Sequence, residues 1–480
     1  MHKAKVLAVI FASLMFSITT LVAQAPQSSS NSEAGPTSSG KFSQISSATA
    51  DPRILAAVRQ VAPQHVRATV EKLASFVNRS TLSVNNEKLT SQGLGVVNAA
   101  KWIESEFQRY SKDCGGCLEV KTDTFIQQPE ERIKEPTQIT NVYAVLRGSD
   151  PESARRIYLV TGHYDSRNSD NFNTSDPAPG ANDDASGTAV SLECARVLSK
   201  LRFPATIIFL TVAGEEQGLD GSRHFAQMAK QQGWNIAAVL NNDIVGGNTT
   251  PGDTLQNKNV VRVFSEGVPN AASDADLRLL KSLGGENDSS SRQLARYIRE
   301  ASQTYLPGAF HPKLIFRRDR YLRGGDHTSF NNEGFAAVRF TEFREDFHHQ
   351  HQNVRTENGI DYGDLPKYVD FNYVADVARL NAATLASLAA APVSPANPRL
   401  ITRNLENDTT LTWEPSPGGL ASGYEVLIRT TEQPYWEQVA AVGNVSRARF
   451  SESKDNVIFG IRAVDGNGHK SLVVVPQPQR

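Results

Sequence analysis

The run Ala205-Thr-Ile-Ile-Phe-Leu-Thr-Val212, bounded by Pro204 and Gly214, constrains the fold more than any other stretch of the chain. It is apolar almost throughout, β-branched, and too short for a buried helix. A strand that is apolar on both faces has to be covered on both, the condition of a central strand in a parallel sheet. Shorter runs of the same kind recur at Thr140–Leu146, Ile157–Thr161, Ile236–Asn241 and Ala336–Thr341. Helical spacing fills the intervals. In Ala185–Leu201, residues Val190, Cys194, Val197, Leu198 and Leu201 share a face, and Ser222–Gln231 and Val374–Ala389 also read as helices. Ahead of the strands, Ile54, Val58, Val61, Val66, Val70, Leu73 and Phe76 recur at three- and four-residue steps, and Val96–Tyr110 carries Ala99, Trp102, Ile103 and Phe107 on one side. The alternation predicts an α/β domain with a mostly parallel central sheet and helices on both faces, spanning residues 51–391.

A chain of 480 residues exceeds one ordinary domain. The proline-rich stretch 392–398 reads as a linker. Beyond it, Thr410–Pro415, Gly423–Arg429 and Val457–Val464 alternate apolar and polar with period two, so residues 399–480 are expected to form a small all-β sandwich. Trp413 and Tyr424, in successive strands, resemble the pattern of a fibronectin type III domain. At the other end, basic residues among His2–Lys5 precede the uncharged apolar stretch Val6–Val22, and Ala23-Gln24-Ala25 has small-x-small form. Residues 1–25 therefore read as a secretory signal peptide, with export to the periplasm or beyond the cell; the other reading, a membrane anchor, calls for a slightly longer stretch, and polar sequence follows at once. Residues 26–50, rich in Ser, Thr, Gly, Pro and Gln, read as a flexible leader.

No second apolar run reaches spanning length, so no stable membrane insertion is expected. A formal net charge of −1, with no basic cluster interleaved with aromatics, gives nucleic acid no footing as a partner. Of three cysteines, Cys114 and Cys117 have C-x-x-C spacing. The second half of a zinc site is missing and an oxidising compartment is expected, which favours a small-loop disulfide. Cys194 lies in a helical pattern and reads as a small buried apolar residue.

Five segments carry the chemistry: His163-Tyr164-Asp165, Asn182-Asp183-Asp184, Glu215-Glu216, Asn242-Asp243 and Asp326-His327. Each has a bland reading when taken alone. His163 ends a strand and is most simply structural. Asp183 precedes a helix and is a natural N-cap. Glu215-Glu216 reads as a solvated turn, and Asp326-His327 lies in a glycine-containing loop. Jointly they say more. His163, Glu215, Glu216 and Asp243 stand just past strand ends, and parallel strands put those ends on one edge, where α/β sheets place ligands. Imidazoles with carboxylates are a donor set for zinc.

This series, H-x-D, N-D-D, G-E-E, N-D and D-H, resembles the co-catalytic zinc aminopeptidases of the bacterial leucyl aminopeptidase type over residues 54–391. The resemblance implies a peptidase with two zincs per chain. Asp183 would bridge both, His163 and Asp243 would complete one, and Glu216 and His327 the other. Glu215 would be the general base, and Asp165 would orient His163. The Asp183–Asp184 peptide bond would be cis. Substrates would be peptides or proteins with a free N-terminus.

Alternatives on the same site are a carboxypeptidase, a one-zinc glutaminyl cyclase, and a non-catalytic binding protein; the intact Glu215 argues against the last. His348, His349 and His351 follow Glu342 and read as a structural or supporting loop, with pocket lining or a further metal as the other reading. Tyr321, just before Gly324-Gly325, is a secondary candidate for hydrogen bonding to a tetrahedral intermediate. Residues 248–305 hold no recognisable chemistry, and their tail, Ser291–Ala301, reads as a surface helix. The β-sandwich is expected to attach the enzyme to a surface, polymer or protein, or to act as a spacer.

Overall fold

The computed structural model describes residues 39–479 other than 47, 251 and 404. The expected signal peptide and residues 26–38 of the expected leader lie outside the described residues.

An eight-stranded mixed sheet forms the centre. From edge to edge its strands are Leu118–Gln127, Thr137–Leu146, Thr206–Val212, Arg156–His163, Asn235–Asn242, Ala337–Glu342, Val260–Ser265 and His311–Ile315. The four middle strands run parallel, and antiparallel pairings join them to both outer portions of the sheet. The strand Thr206–Val212 is buried along its whole length. Ile207 and Phe209 pack into the core beneath the helices Pro63–Ala74, Gly95–Asp113, Ala185–Leu198 and Phe371–Ala390. Ile208, Leu210 and Val212 point the other way, toward Phe225, Ala226 and Phe330. Each such side chain contributes about 1.5–3 kcal/mol when fully buried, so this strand locks two core layers to one backbone.

Register sets the site. His163 pairs with Val212, Thr161 with Asn241, and Asn242 with Phe340, so the C-terminal ends of the middle strands form one edge. Two glycines let the backbone close there. A Cβ on Gly162 would stand 2.4 Å from the Gly187 carbonyl carbon, and one on Gly187 would stand 2.1 Å from the Asn242 carbonyl oxygen. The helix Ala185–Leu198 thus abuts two strand ends at once.

The strands Leu118–Gln127, Val260–Ser265 and His311–Ile315 escape a search for continuous apolar runs. The first is an edge strand with largely exposed alternate residues, and the other two are short. The bridge Cys114–Cys117 is formed, and Cys194 is free and buried, as expected. Among the described residues no helix is long and apolar enough to cross a membrane.

Beyond the sheet, two four-stranded sheets enclose Leu411, Trp413, Tyr424, Val426, Phe459 and Ile461. Two expectations change here. Ser43–Gln44, placed in the flexible leader, pairs antiparallel with Gln438 and Val439 and extends one of these sheets. The helix expected at Ser291–Ala301 on the surface runs over Ser290–Tyr305 and is largely buried. The sandwich covers it: Trp436 Nε1 donates to Gln293 Oε1 (3.1 Å), Arg296 donates to the Pro434 carbonyl, and Arg429 meets both carboxylate oxygens of Asp288 at 2.7 and 2.8 Å. The polar surface of this helix is satisfied by a partner more than a hundred residues later in the chain, which local spacing does not reveal. The α/β part and the sandwich form one compact unit.

Candidate metal centre

At the common strand edge the structure gathers two groups of ligand atoms, each within 4.8 Å: His163, Asp183 and Asp243, and Asp183, Glu216 and His351. Asp183 belongs to both. His163 is the last residue of its strand, Asp243 directly follows Asn235–Asn242, and Glu216 stands in the short helix Glu215–Gly218 that follows the buried strand. Asp183 sits in the turn before the helix Ala185–Leu198. That helix is capped by Asp184, not Asp183. The Asp184 carboxylate accepts from the N–H of Gly187 (2.9 Å), His163 (3.0 Å) and Ile244 (3.2 Å), tying three elements together and leaving Asp183 free to face inward. The Asp183–Asp184 peptide is cis, as the resemblance implied.

Asp165 lies beside the His163 ring. His163 Nδ1 donates to the Asp165 carbonyl at 3.2 Å, with Asp165 Oδ1 also 3.2 Å away, and Nε2 points to Asp183 Oδ1 at 3.1 Å. Asp165 Oδ2 in turn accepts from the Thr81 hydroxyl (3.0 Å) and the Glu216 N–H (3.3 Å). An acceptor on one ring nitrogen, here the Asp165 carbonyl, fixes the tautomer that leaves the other free for a cation. Glu215 belongs to neither group; its Oε2 is 4.0 Å from His163 Nε2, and the side chain keeps 15% exposure while His163, Glu216 and Asp243 are nearly sealed.

His327 is the correction. It begins the helix His327–Asn332, is fully buried, and belongs to neither group. Its Nε2 donates to the Arg318 carbonyl at 2.9 Å and lies 3.6 Å from Asp319 Oδ2. Burial holds its pKa down at about 4, so the ring is neutral. The neighbouring Asp326 is the member of this pair that faces the cluster: burial and then the carboxylates of Asp243 and Asp165 push its pKa up to about 7, against the pull of His163. Side chains of consecutive residues at a helix start diverge, and here the His turns into the loop behind. His351 stands in the place assigned to His327. Its Nε2 is 2.8 Å from Asp183 Oδ2 and 3.1 Å from Glu216 Oε2. The one sequence signal for it is its place after the strand Ala337–Glu342, whose C-terminal end opens the His348–His351 loop on the same sheet edge, and that does not single it out from its neighbours. Tyr321 is 78% exposed and its hydroxyl accepts from Arg317 at 2.8 Å, an outward loop position.

The electrostatics are those of a site short of positive charge. Burial, then the carboxylates of Asp243, Glu216 and Asp326, push the Glu215 pKa well above the usual range. Asp184 and Asp243 are raised too, burial being the main cause. Burial works to lower the His163 pKa, but Glu215, Asp165 and Asp183 outweigh it and raise it well above normal. Arg339 offsets Asp243 at 2.8 Å and Arg167 offsets Glu216 at 2.9 Å. Among the described residues, buried His163 Nε2 and Glu216 Oε1 find no hydrogen bond. Orphaned imidazole nitrogen and carboxylate oxygen within a surplus of buried acids fit a divalent cation, which inverts this field. Backbone strain gathers here as well: His351 and Ile244, the residue after Asp243, hold φ of +56° and +60°.

An α/β sheet with this cluster at its strand ends defines the class: a protein with a buried carboxylate and imidazole cluster suited to a divalent cation. The model of Peptidase family M28 matches residues 141–368, the span that holds every residue of both groups. A probable zinc metalloprotease of Pyrenophora teres f. teres is 44% identical over 431 residues, covering 89% of this chain and 87% of the relative. Another from Leptosphaeria maculans is 44% identical over 88% of this chain and 97% of its own length. The chain belongs to peptidase family M28. Among solved structures, LapA and LapB of Legionella pneumophila share its fold, at 21% and 19% identity, each with a TM-score of 0.50; they cover 72% and 73% of this chain and 78% of their own.

Proposed function

We propose that the protein is an exported zinc aminopeptidase that releases N-terminal residues from peptides and proteins, using two zincs per chain. The observation that carries this reading is a pair of three-residue ligand groups joined through Asp183, with Glu215 beside them and outside both. The zinc in the names of the relatives supports the metal. The apolar segment Val6–Val22 and the Cys114–Cys117 bridge support export.

His163, Asp183 and Asp243 would hold one ion, and Asp183, Glu216 and His351 the other. Zinc bound there supplies a Lewis acid that polarises a carbonyl and lowers the pKa of water. Glu215 accepts the proton of the attacking water on its carboxylate and returns it to the departing amine. Asp165 keeps His163 in the Nδ1–H tautomer, with Nε2 free. Burial of Asp183, Glu216 and Asp243, all at most 5% exposed, keeps bulk water from competing for their oxygens. The β-sandwich, beside the helix Ser290–Tyr305, is read as an accessory domain of fibronectin type III kind that holds the enzyme to a surface, polymer or protein.

Turnover of aminoacyl-nitroanilides should be measured against N-blocked dipeptides, with and without chelator, in wild type and in Glu215→Gln. Cleavage of the unblocked substrates alone, abolished by chelator and lowered at least about 10²–10⁴-fold in the variant, is the expected result. Cleavage of the blocked set alone would replace the reading with a carboxypeptidase, and zinc binding without turnover would replace it with a binding protein.

A further inference from the structure

We propose that Asp364 is a positioning residue for Asp183, holding the loop that presents this carboxylate to both metal positions. The proposal rests on the reading of Asp183 as the shared ligand. The Pro179–Asp184 turn is neither helix nor strand, so its backbone groups need partners from elsewhere. Arg79, fully buried, takes one side: its guanidinium donates to the carbonyls of Tyr164 (2.7 Å), Pro179 (2.5 Å) and Gly180 (2.9 Å). Asp364, 5% exposed, takes the other. Its Oδ1 accepts from the Asn182 N–H (2.8 Å), its Oδ2 from the Asp183 N–H (2.7 Å), and its own carbonyl from the Ala181 N–H (3.2 Å).

Three successive N–H groups therefore converge on one residue, and two of them on a carboxylate, the charge that such a concavity favours. Further contacts complete the hold. Asn182 Nδ2 donates to both oxygens of Glu342 at 3.1 Å, and Gln350 Nε2 donates to Asp183 Oδ2 at 3.1 Å. Gln350, His351 and Asp364 all belong to the chain that follows the strand Ala337–Glu342. One segment thus supplies a ligand to one position and the anchor of the ligand common to both. Losing His351 should weaken one position. Loosening Asp364 should weaken the two together.

The experiment titrates zinc into wild type, Asp364→Asn and Asp361→Asn by calorimetry and records the visible bands of the cobalt-loaded proteins. Asp364→Asn should weaken both ions by about 10–100-fold, the usual cost of a group that orients a ligand, and should alter the cobalt spectrum. Asp361→Asn lies in the same segment, but its carboxylate faces Thr356 and Lys367, so wild-type affinities are expected. Hydrogen exchange of metal-free wild type covers the case in which the variant does not fold: the Ala181, Asn182 and Asp183 amides should be protected. Unchanged zinc affinities in Asp364→Asn, weakening of one ion alone, or exchange of these amides at the rate of an open loop would each overturn the proposal. A wild-type chain that binds no zinc would overturn the site reading instead, and amide exchange would still decide the role of Asp364.

Discussion

The two candidate ligand groups share Asp183 and differ in how their other members are held. His163 and Asp243 come from the ends of adjacent strands whose register is set by backbone hydrogen bonds, and both are almost fully buried. Glu216 follows a strand end through Gly214 in the left-handed region, φ +80°, and His351 arrives on a long loop with its side chain 22% exposed. A sheet edge places ligands as a by-product of folding, whereas a loop needs local strain and added contacts to do so. Arg167 is one such contact, donating to Glu216 Oε2 at 2.9 Å.

The most severe way to break the comparison is to remove what the halves share. Asp183→Ala should lose both ions, and turnover should fall by roughly 10⁴-fold or more because the ligands act as a unit. Metal analysis after gel filtration checks it: one retained ion per chain would mean that Asp183 does not serve both halves. Next in size is the contrast between the imidazoles. His163→Ala and His351→Ala should each lose more than the roughly 10–100-fold in affinity that an orienting contact costs. His351→Ala should keep one tight ion; His163→Ala should disturb the buried half and lose more.

The same contrast explains what could be read from the residues alone. Three of the five proposed ligands, His163, Glu216 and Asp243, are legible because an apolar run announces a strand, and the residues at its end fall on a common edge; Asp183 precedes a helix and is legible only through the N-D-D segment of the resemblance. Asp165 and Glu215 were legible for the same reason as the strand-end ligands. His351 was not, since nothing in His348-His349-Gln350-His351 distinguishes a ligand from a solvated loop until the φ of +56° and the contacts of Arg167 and Gln350 are seen. The outer strands and the buried face of Ser290–Tyr305 were hidden for a related reason: their partners are distant in the chain, and local periodicity does not encode them.

A milder test is staged removal. Titrating the zinc-loaded protein with a competing chelator should release the ions in two steps, the His351 half first, because it is the more exposed and rests on a loop. His351→Ala should erase the earlier step and leave the later one. A single concerted release in wild type would show that the shared carboxylate couples the halves more tightly than their scaffolds separate them.

The smallest effect belongs to His327. Its ring is fully buried, its Nε2 is spent on the Arg318 carbonyl at 2.9 Å, and its pKa near 4 keeps it neutral. His327→Gln should therefore retain two zincs with unchanged affinity and near wild-type turnover. The cost should appear in thermal unfolding of the metal-free protein, at about 1 kcal/mol for the hydrogen bond to the loop carbonyl. Loss of one zinc from this variant would return His327 to the ligand set and assign His351 the supporting role. The two histidines cannot both complete the position formed by Asp183 and Glu216 while one of them is turned toward Arg318.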